Sequence, residues 1–280
     1  MNTSVETASG KGRNDENFPV ASILIRPTLR PHVHAFYAFA RNADDIADNP
    51  DLGAPDKLAR LETMRAVLDG ETAPGSHSGS PSAAALRISL AATGVTPRHA
   101  HDLLAAFRQD AIKHRYATWA ELLDYCRLSA MPVGRHVLDL HGEDPATHTP
   151  SDALCAVLQV LNHLQDGKKD LAALDRCYLP DDQLAANQAR VEDLAAQAET
   201  PGLRHVFDSL LTECDRLTDE AATLPRLVRD RRLRLECAVI LGLSRRLARR
   251  LRAADPVAGR VKLLKQDVAG SMVAALRYAA

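Results

Sequence analysis

The sequence has no excess of charge of either sign. Lys and Arg number 35 and Asp and Glu 36, a formal net charge of −1, so no global basic charge points to nucleic acid. No stretch approaches the roughly 18 apolar residues of a membrane span, and the densest, Cys237 to Leu243, is far shorter. Fourteen Gly and fifteen Pro are too few for a collagen-like or low-complexity chain. The five cysteines (126, 155, 177, 214 and 237) are widely spaced, odd in number and form no CxxC. They read as reduced thiols of a cytoplasmic protein, without zinc-ligand spacing. There is no GxGxxG or Walker loop. Ser22, Ser129 and His163 lack the nucleophile elbow that would make them a triad. Aromatic residues are only 4% of the chain, yet Ala, Leu and Val can line an apolar cavity without them.

What is present is ordinary globular composition, 46% apolar and 25% charged, which excludes a wholly disordered chain. At 280 residues the chain suits two average domains or one large all-α domain. Residues 1–16 are polar, carry no apolar secretory core and are expected to form a mobile tail. From Phe18 the pattern is helical almost throughout, with no convincing period-two segment. The spacing predicts helices over 30–48, 54–68, 83–93, 97–113, 118–142, 151–173, 181–198 (broken), 202–222, 225–253 and 264–278, with a loop over 74–81. With no linker and no solenoid repeat, the expectation is one all-α domain over 17–280, a helical bundle large enough to enclose a central cavity.

The chemistry concentrates in two acidic patterns. In the helix ending at Asp48, positions 37, 41, 44 and 48 share one stripe, so Asp44 and Asp48 point the same way. Like charges four residues apart cost about 0.2–0.5 kcal/mol on a bare helix. An acidic last turn also opposes the helix dipole. A hard divalent cation such as Mg²⁺ supplies a reason, because it takes carboxylate oxygens together with water and phosphates. A solvated acidic helix end would explain one such cluster. A second one changes the balance: Asn162, Asp166 and Asp170 repeat the device at i, i+4 and i+8, behind the apolar run Ala153 to Leu161. Two central helices that each carry Asp-x-x-x-Asp suit Mg²⁺ ions that clamp a diphosphate. Metal ions ease C–O cleavage by neutralising charge on the leaving group. Apolar walls would keep the resulting cation from stray water.

Five segments together resemble the squalene/phytoene synthase family of class I isoprenoid synthases: Asn17 to Ser22, Tyr37 to Asp48, Tyr125 to Gly134, Leu158 to Asp170 and Arg176 to Pro180. Each is weak alone; their order and spacing are specific, and they cover most of the chain. The opening Glu-Asn-Phe-Pro-Val-Ala-Ser, the phrase Ala-Arg-Asn-Ala-Asp-Asp-Ile-Ala-Asp and the pair Gln165-Asp166 are most similar to the hydroxysqualene-forming branch. That branch converts presqualene diphosphate and water to hydroxysqualene and diphosphate, a carbon–oxygen lyase reaction, in bacterial hopanoid biosynthesis. The sister branch makes presqualene diphosphate from two farnesyl diphosphates and usually has Arg where this chain has Gln165.

The resemblance implies Mg²⁺ at Asp44, Asp48, Asp166 and Asp170, with Asn162 supporting the second motif and Arg41 binding diphosphate. It implies Tyr37 and Tyr125 at the reaction centre, and Phe18, Val133 and Gly134 along the substrate channel. Asp45 belongs to the motif but should face away, and Asp110 fits the pattern only loosely. NADPH is not expected for this reaction. Two features depart from the pattern. Met131 stands where a small or amide residue is common, and Gly167-Lys168-Lys169 is basic and helix-weakening, with the lysines expected mainly in solvent. The alternatives are a presqualene diphosphate, squalene or phytoene synthase working head-to-head on farnesyl or geranylgeranyl diphosphate, and a non-catalytic scaffold of the same fold. Partner pathway enzymes also fit. The scattered histidines read as surface or packing residues. The arginine runs 226–234 and 245–252 read either as a charged outer face or as a peripheral contact with anionic lipid at the inner face of a membrane.

Overall fold

A computed structural model describes residues 4–6, 24–71 and 79–279. Phe18 and the stretch up to residue 78 of the expected 74–81 loop lie outside the described residues. The described residues form helices joined by short turns, and contain no β-sheet beyond one bridge between Ser4 and Gly79. No helix among them is long and apolar enough to cross a membrane. The chain divides into two compact units, one of residues 1–113 and 135–142, the other of 114–134 and 143–280.

The first unit is built on α1 (Arg30–Ala47), α2 (Ala54–Asp69), α3 (Pro81–Thr93) and α4 (Arg98–Asp110), joined by the later turns of α6 (Met131–Leu140). Along α1, Val33, Phe36, Phe39, Ala43 and Ile46 recur at spacings of three and four and are buried. That face packs on α2, α3 and α4, and each large side chain so buried contributes about 1.5–3 kcal/mol. The helix stops where Asn49 precedes Pro50, as the sequence predicts. Gly70 ends α2 with φ +76°, a conformation that favours glycine. Ser80 caps α3 by accepting from the Ala83 N–H.

Residues 4–6 depart from the expected tail. Val5 is buried, and Arg60 donates to its carbonyl at 2.8 Å. The Glu6 carboxylate accepts from the Ser80 hydroxyl and from the Ser82 hydroxyl and N–H at 2.6–2.8 Å. This part of the polar N-terminal stretch is therefore fastened to the start of α3.

The second unit contains α5 (Trp119–Ser129), the first turn of α6, α7 (His148–Leu174), α8 (Asp181–Ala186), α9 (Pro201–Ala221), α10 (Leu224–Leu227), α11 (Arg231–Ala253) and α12 (Lys265–Ala275), closed by a 3₁₀ turn at Leu276–Tyr278. The 27-residue α7 is its centre and packs on α5, α9 and α11. It begins three residues earlier than the pattern predicts, because Pro150 in its first turn has no intrahelical partner to lose.

Two long helices expected from the sequence are each broken in two. The 118–142 segment parts at Ala130, since Pro132 removes an N–H and crowds the preceding turn. The 225–253 segment parts at Val228, which is extended. Asp230 then starts α11 by accepting from the N–H groups of Arg232 and Leu233 at 2.9 Å.

His136 is a packing residue of the first unit, 1% exposed and stacked on Phe36 at 3.8 Å. Burial pushes its pKa down to about 3; His99 and His32 lower it further, and Asp139 opposes them. His99 itself meets Asp139 at 2.7 Å, and His32 meets Ser89 at 2.8 Å. A folded-state pKa below that of an exposed histidine means the unfolded chain binds the proton first. The stability that neutral His136 contributes is thus complete above about pH 6.5 and drains away as pH falls toward 3. His136→Phe is expected to flatten that part of the stability–pH curve, measured by urea unfolding between neutral and acidic pH. An unchanged curve would show that His136 is not the group that titrates.

Candidate active site

In the first unit, Tyr37, Arg41 and Asp44 follow one another along α1, and Asp48 is its C-cap. Arg41 is held between two carboxylates. Its guanidinium is 3.1 Å from Asp44 Oδ2, and its Nε and second terminal nitrogen are 3.0 and 2.7 Å from Asp45 Oδ1. Asp45 is buried, and its charge is committed to Arg41. The Asp44 carboxyl is pushed up to about 8, first by loss of hydration, then by Asp48, with Asp110 and Asp45 adding and Arg41 opposing. Although 32% of its side chain stays accessible, burial leads and the neighbouring carboxylates add to it. Asp110, which closes α4, is therefore part of the first acidic group, a stronger place than its loose fit to the pattern implied.

In the second unit, α7 carries Asn162, Asp166 and Asp170 at successive turns and stays helical through Gly167. Arg260 holds Asp166: a terminal nitrogen donates to Oδ2 at 2.8 Å, and Nε lies 2.7 Å from Oδ1 as an ion-pair contact without hydrogen-bond alignment. Gln165 donates to the Val261 carbonyl at 2.6 Å. Lys168 donates to the carbonyls of Ala196 (2.6 Å) and Val257 (3.2 Å), and both Lys168 and Lys169 are exposed, as expected. The 257–261 segment is thereby stapled to the second acidic motif from three neighbouring positions. A Cβ at Gly167 would meet Leu194 at 3.5 Å, an ordinary contact, so nothing there demands glycine.

Tyr125 lies in a buried aromatic cluster of this unit. Its ring is 5.3 Å from Tyr116 and 5.7 Å from Tyr178, and Tyr178 stacks on His163 at 3.5 Å. Burial, helped by Arg176, pushes His163 down to about 3, so this ring is neutral. Of the three positions expected along the channel, Val133 is 40% exposed. Gly134 sits where the first turn of α6 meets α7, with Ser151 Oγ and Cys155 Sγ directly over its Cα. The channel role of Phe18 falls outside the described residues.

Sequence reasoning missed Arg260 altogether. It lies 94 residues from Asp166 and in no periodic pattern, so only its position beside an acidic motif in space identifies it. Tyr178 and Arg176 were present only as part of a family-like segment, with no role attached.

Does this donor set suit Mg²⁺? Among the described residues, no three His, Cys, Asp or Glu side chains form a ready-made metal site. Mg²⁺ does not need one, since it keeps several waters and completes its shell with substrate phosphate. The first group brings the carboxylates of Asp44, Asp45, Asp48 and Asp110 together beside Arg41, a set of hard oxygen donors that fits a divalent cation. In the second, Asp166 already has a cationic partner that an incoming metal would have to displace or share.

The squalene/phytoene synthase family model matches residues 12–267. A hydroxysqualene synthase of Rhodopseudomonas palustris is 47% identical over 94% of this chain and 88% of its own. One from Zymomonas mobilis is 43% identical over 94% and 87%. Among solved structures, the squalene synthase HpnC of Alicyclobacillus acidocaldarius superimposes with a TM-score of 0.73 at 34% identity, covering 86% of this chain and 90% of that one. A dehydrosqualene synthase at 21% identity shares the fold, with a TM-score of 0.75 over 95% and 92%.

Gly134 offers a test of local packing. Gly134→Ala drives a methyl group into Ser151 Oγ and Cys155 Sγ and is expected to destabilise the protein by about 1–3 kcal/mol. Adding Ser151→Gly should restore part of that loss. Urea unfolding of the single and double variants measures it, and equal stability of Gly134→Ala and the parent would rule the contact out.

Proposed function

The chain belongs to the squalene/phytoene synthase family, and from that premise we propose that it converts presqualene diphosphate and water to hydroxysqualene and diphosphate. The observation that carries this reading is the coincidence of two acidic groups on α1 and α7 with relatives that are hydroxysqualene synthases over almost the whole chain. The intact acidic groups argue against a scaffold that has lost its chemistry.

In this proposal Asp44 and Asp48 in one unit and Asp166 and Asp170 in the other hold Mg²⁺, with Asn162 in support, and the two units act as one synthase domain over 17–280. When bound, Mg²⁺ neutralises charge on the departing diphosphate. Arg41 fixes the Asp44 carboxylate on one side and commits Asp45 on the other, and it provides a guanidinium for diphosphate. The C–O bond breaks with its electron pair leaving on diphosphate. The carbocation rearranges, water adds through oxygen, and one proton is released. Tyr37 and Tyr125 border that cation, while Val133, Gly134 and Phe18 border the substrate chain. His163 stays neutral beside Tyr178 and so places no competing positive charge in the aromatic cluster. No hydride enters this balance, so NADPH is not consumed.

The test is product analysis with purified protein, Mg²⁺ and presqualene diphosphate, with and without NADPH, and in parallel with farnesyl diphosphate. Hydroxysqualene formed without NADPH is the expected outcome. Turnover of farnesyl diphosphate to presqualene diphosphate, with no reaction of presqualene diphosphate itself, would move the chain to the sister reaction. Asp44→Asn and Asp166→Asn should each lower turnover at least about a hundredfold, in line with loss of an electrostatic catalytic group. They should also abolish the thermal stabilisation that Mg²⁺ and inorganic diphosphate together confer. A protein that shows no such stabilisation before mutation would be the non-catalytic scaffold.

A further inference from the structure

The charge of this chain balances overall, but residues 226–252 hold ten arginines and only two carboxylates. Some of these arginines are neutralised within the second unit. Arg229 pairs with Asp144, Arg250 with Asp267 and Arg252 with Asp215, at 2.6–2.9 Å. Others are not. Arg226 and Arg245 have no carboxylate partner among the described residues, and Arg277 contacts only Tyr278, through its hydroxyl and its ring. These three, with Arg234 and Tyr278, line one open cleft of about 680 Å³. A cleft that gathers four guanidinium groups is built to receive anionic oxygen.

Exposed aliphatic side chains adjoin its arginines in the sequence. Leu276 immediately precedes Arg277 and is 64% exposed, and Leu227 follows Arg226 and is 42% exposed. Leu276 continues a stripe along α12, where Val268 and Met272 lie at spacings of four and Val273 adjoins, 41–69% exposed. The opposite face of the same helix is spoken for. Asp267, Ser271 and Ala275 are buried on it; Asp267 binds Arg250, and Ser271 accepts from Arg246. α12 is thus anchored on α11 by one face and presents bare aliphatic side chains on the other.

We infer that the outward face of α12 and the arginine cleft beside it form a docking surface for an anionic phospholipid bilayer, with the aliphatic stripe entering the interface and the guanidinium groups taking lipid phosphate. A row of aliphatic side chains a little over two turns long, beside Arg226, Arg245 and Arg277, offers an apolar strip and cationic groups to the same anionic interface. Charge decides against a second copy of the chain. A two-fold interface sets the same patch on both partners, and here it would press arginine clusters against each other. The inference is independent of the reaction the protein catalyses.

The experiment is flotation of the full chain with vesicles of phosphatidylcholine alone or mixed with phosphatidylglycerol. The protein is expected to float with the anionic vesicles and not with the neutral ones, and to be released by salt. Replacing Arg226, Arg245 and Arg277 by Gln should lower partitioning about fivefold for each arginine removed. Met272→Asp with Leu276→Asp should abolish flotation while leaving the thermal melting point unchanged, since both side chains are exposed. Equal flotation with neutral vesicles, no flotation, or unaltered flotation of either variant overturns the inference. So does a parent protein that sediments as a dimer and becomes a monomer on Leu276→Asp. Saturable binding of inorganic phosphate or diphosphate in the cleft without vesicle binding would assign it to a free anion instead and likewise overturn it.

Discussion

Carboxylates gathered on one helical stripe repel one another, and partial dehydration deepens the repulsion. Both candidate acidic groups in this chain face that constraint, and each holds a guanidinium. Arg41 sits between Asp44 and Asp45, and Arg260 holds Asp166. The Asp44 carboxyl is still pushed up to about 8, first by loss of hydration and then by its neighbour Asp48. A site left under such electrostatic tension is one that gains on binding a hard cation.

The two solutions differ in reach. Arg41 belongs to the same helix as its partners, so the first group is assembled by helical geometry and closed by Asp110 from α4. Arg260 comes from a turn between α11 and α12 and is held there by further contacts, Gln165 to Val261 and Lys168 to Val257. The residue at 165 therefore has a structural task in this chain. Arg in that position, as in the sister branch, would place a cation where the Gln amide now binds a buried carbonyl.

Much of the all-helical organisation was legible in the sequence because its signals are local. Apolar spacing marked α1, α7 and α9, and Pro50 marked the end of α1. The errors came where a single residue outweighed a continuing pattern. Pro132 splits the segment after α5, and Asp230 opens α11 after a short helix whose apolar pattern ran on unbroken. Residues 4–6 look like tail by composition, but Val5 and Glu6 find partners on α2 and α3 that no local reading could supply.

The sequence by itself determined the helical class, the acidic stripes and the family-like segments, because periods of three and four place residues on a helix face whatever surrounds it. Tertiary structure alone decided which guanidinium holds Asp166, that Lys168 binds backbone carbonyls, and that Gly134 lies under Ser151 and Cys155. It alone showed that Arg229, Arg250 and Arg252 have carboxylate partners while Arg226 and Arg245 line an open cleft. These are contacts between segments far apart in the chain, and their energies depend on distances that only the packed fold sets.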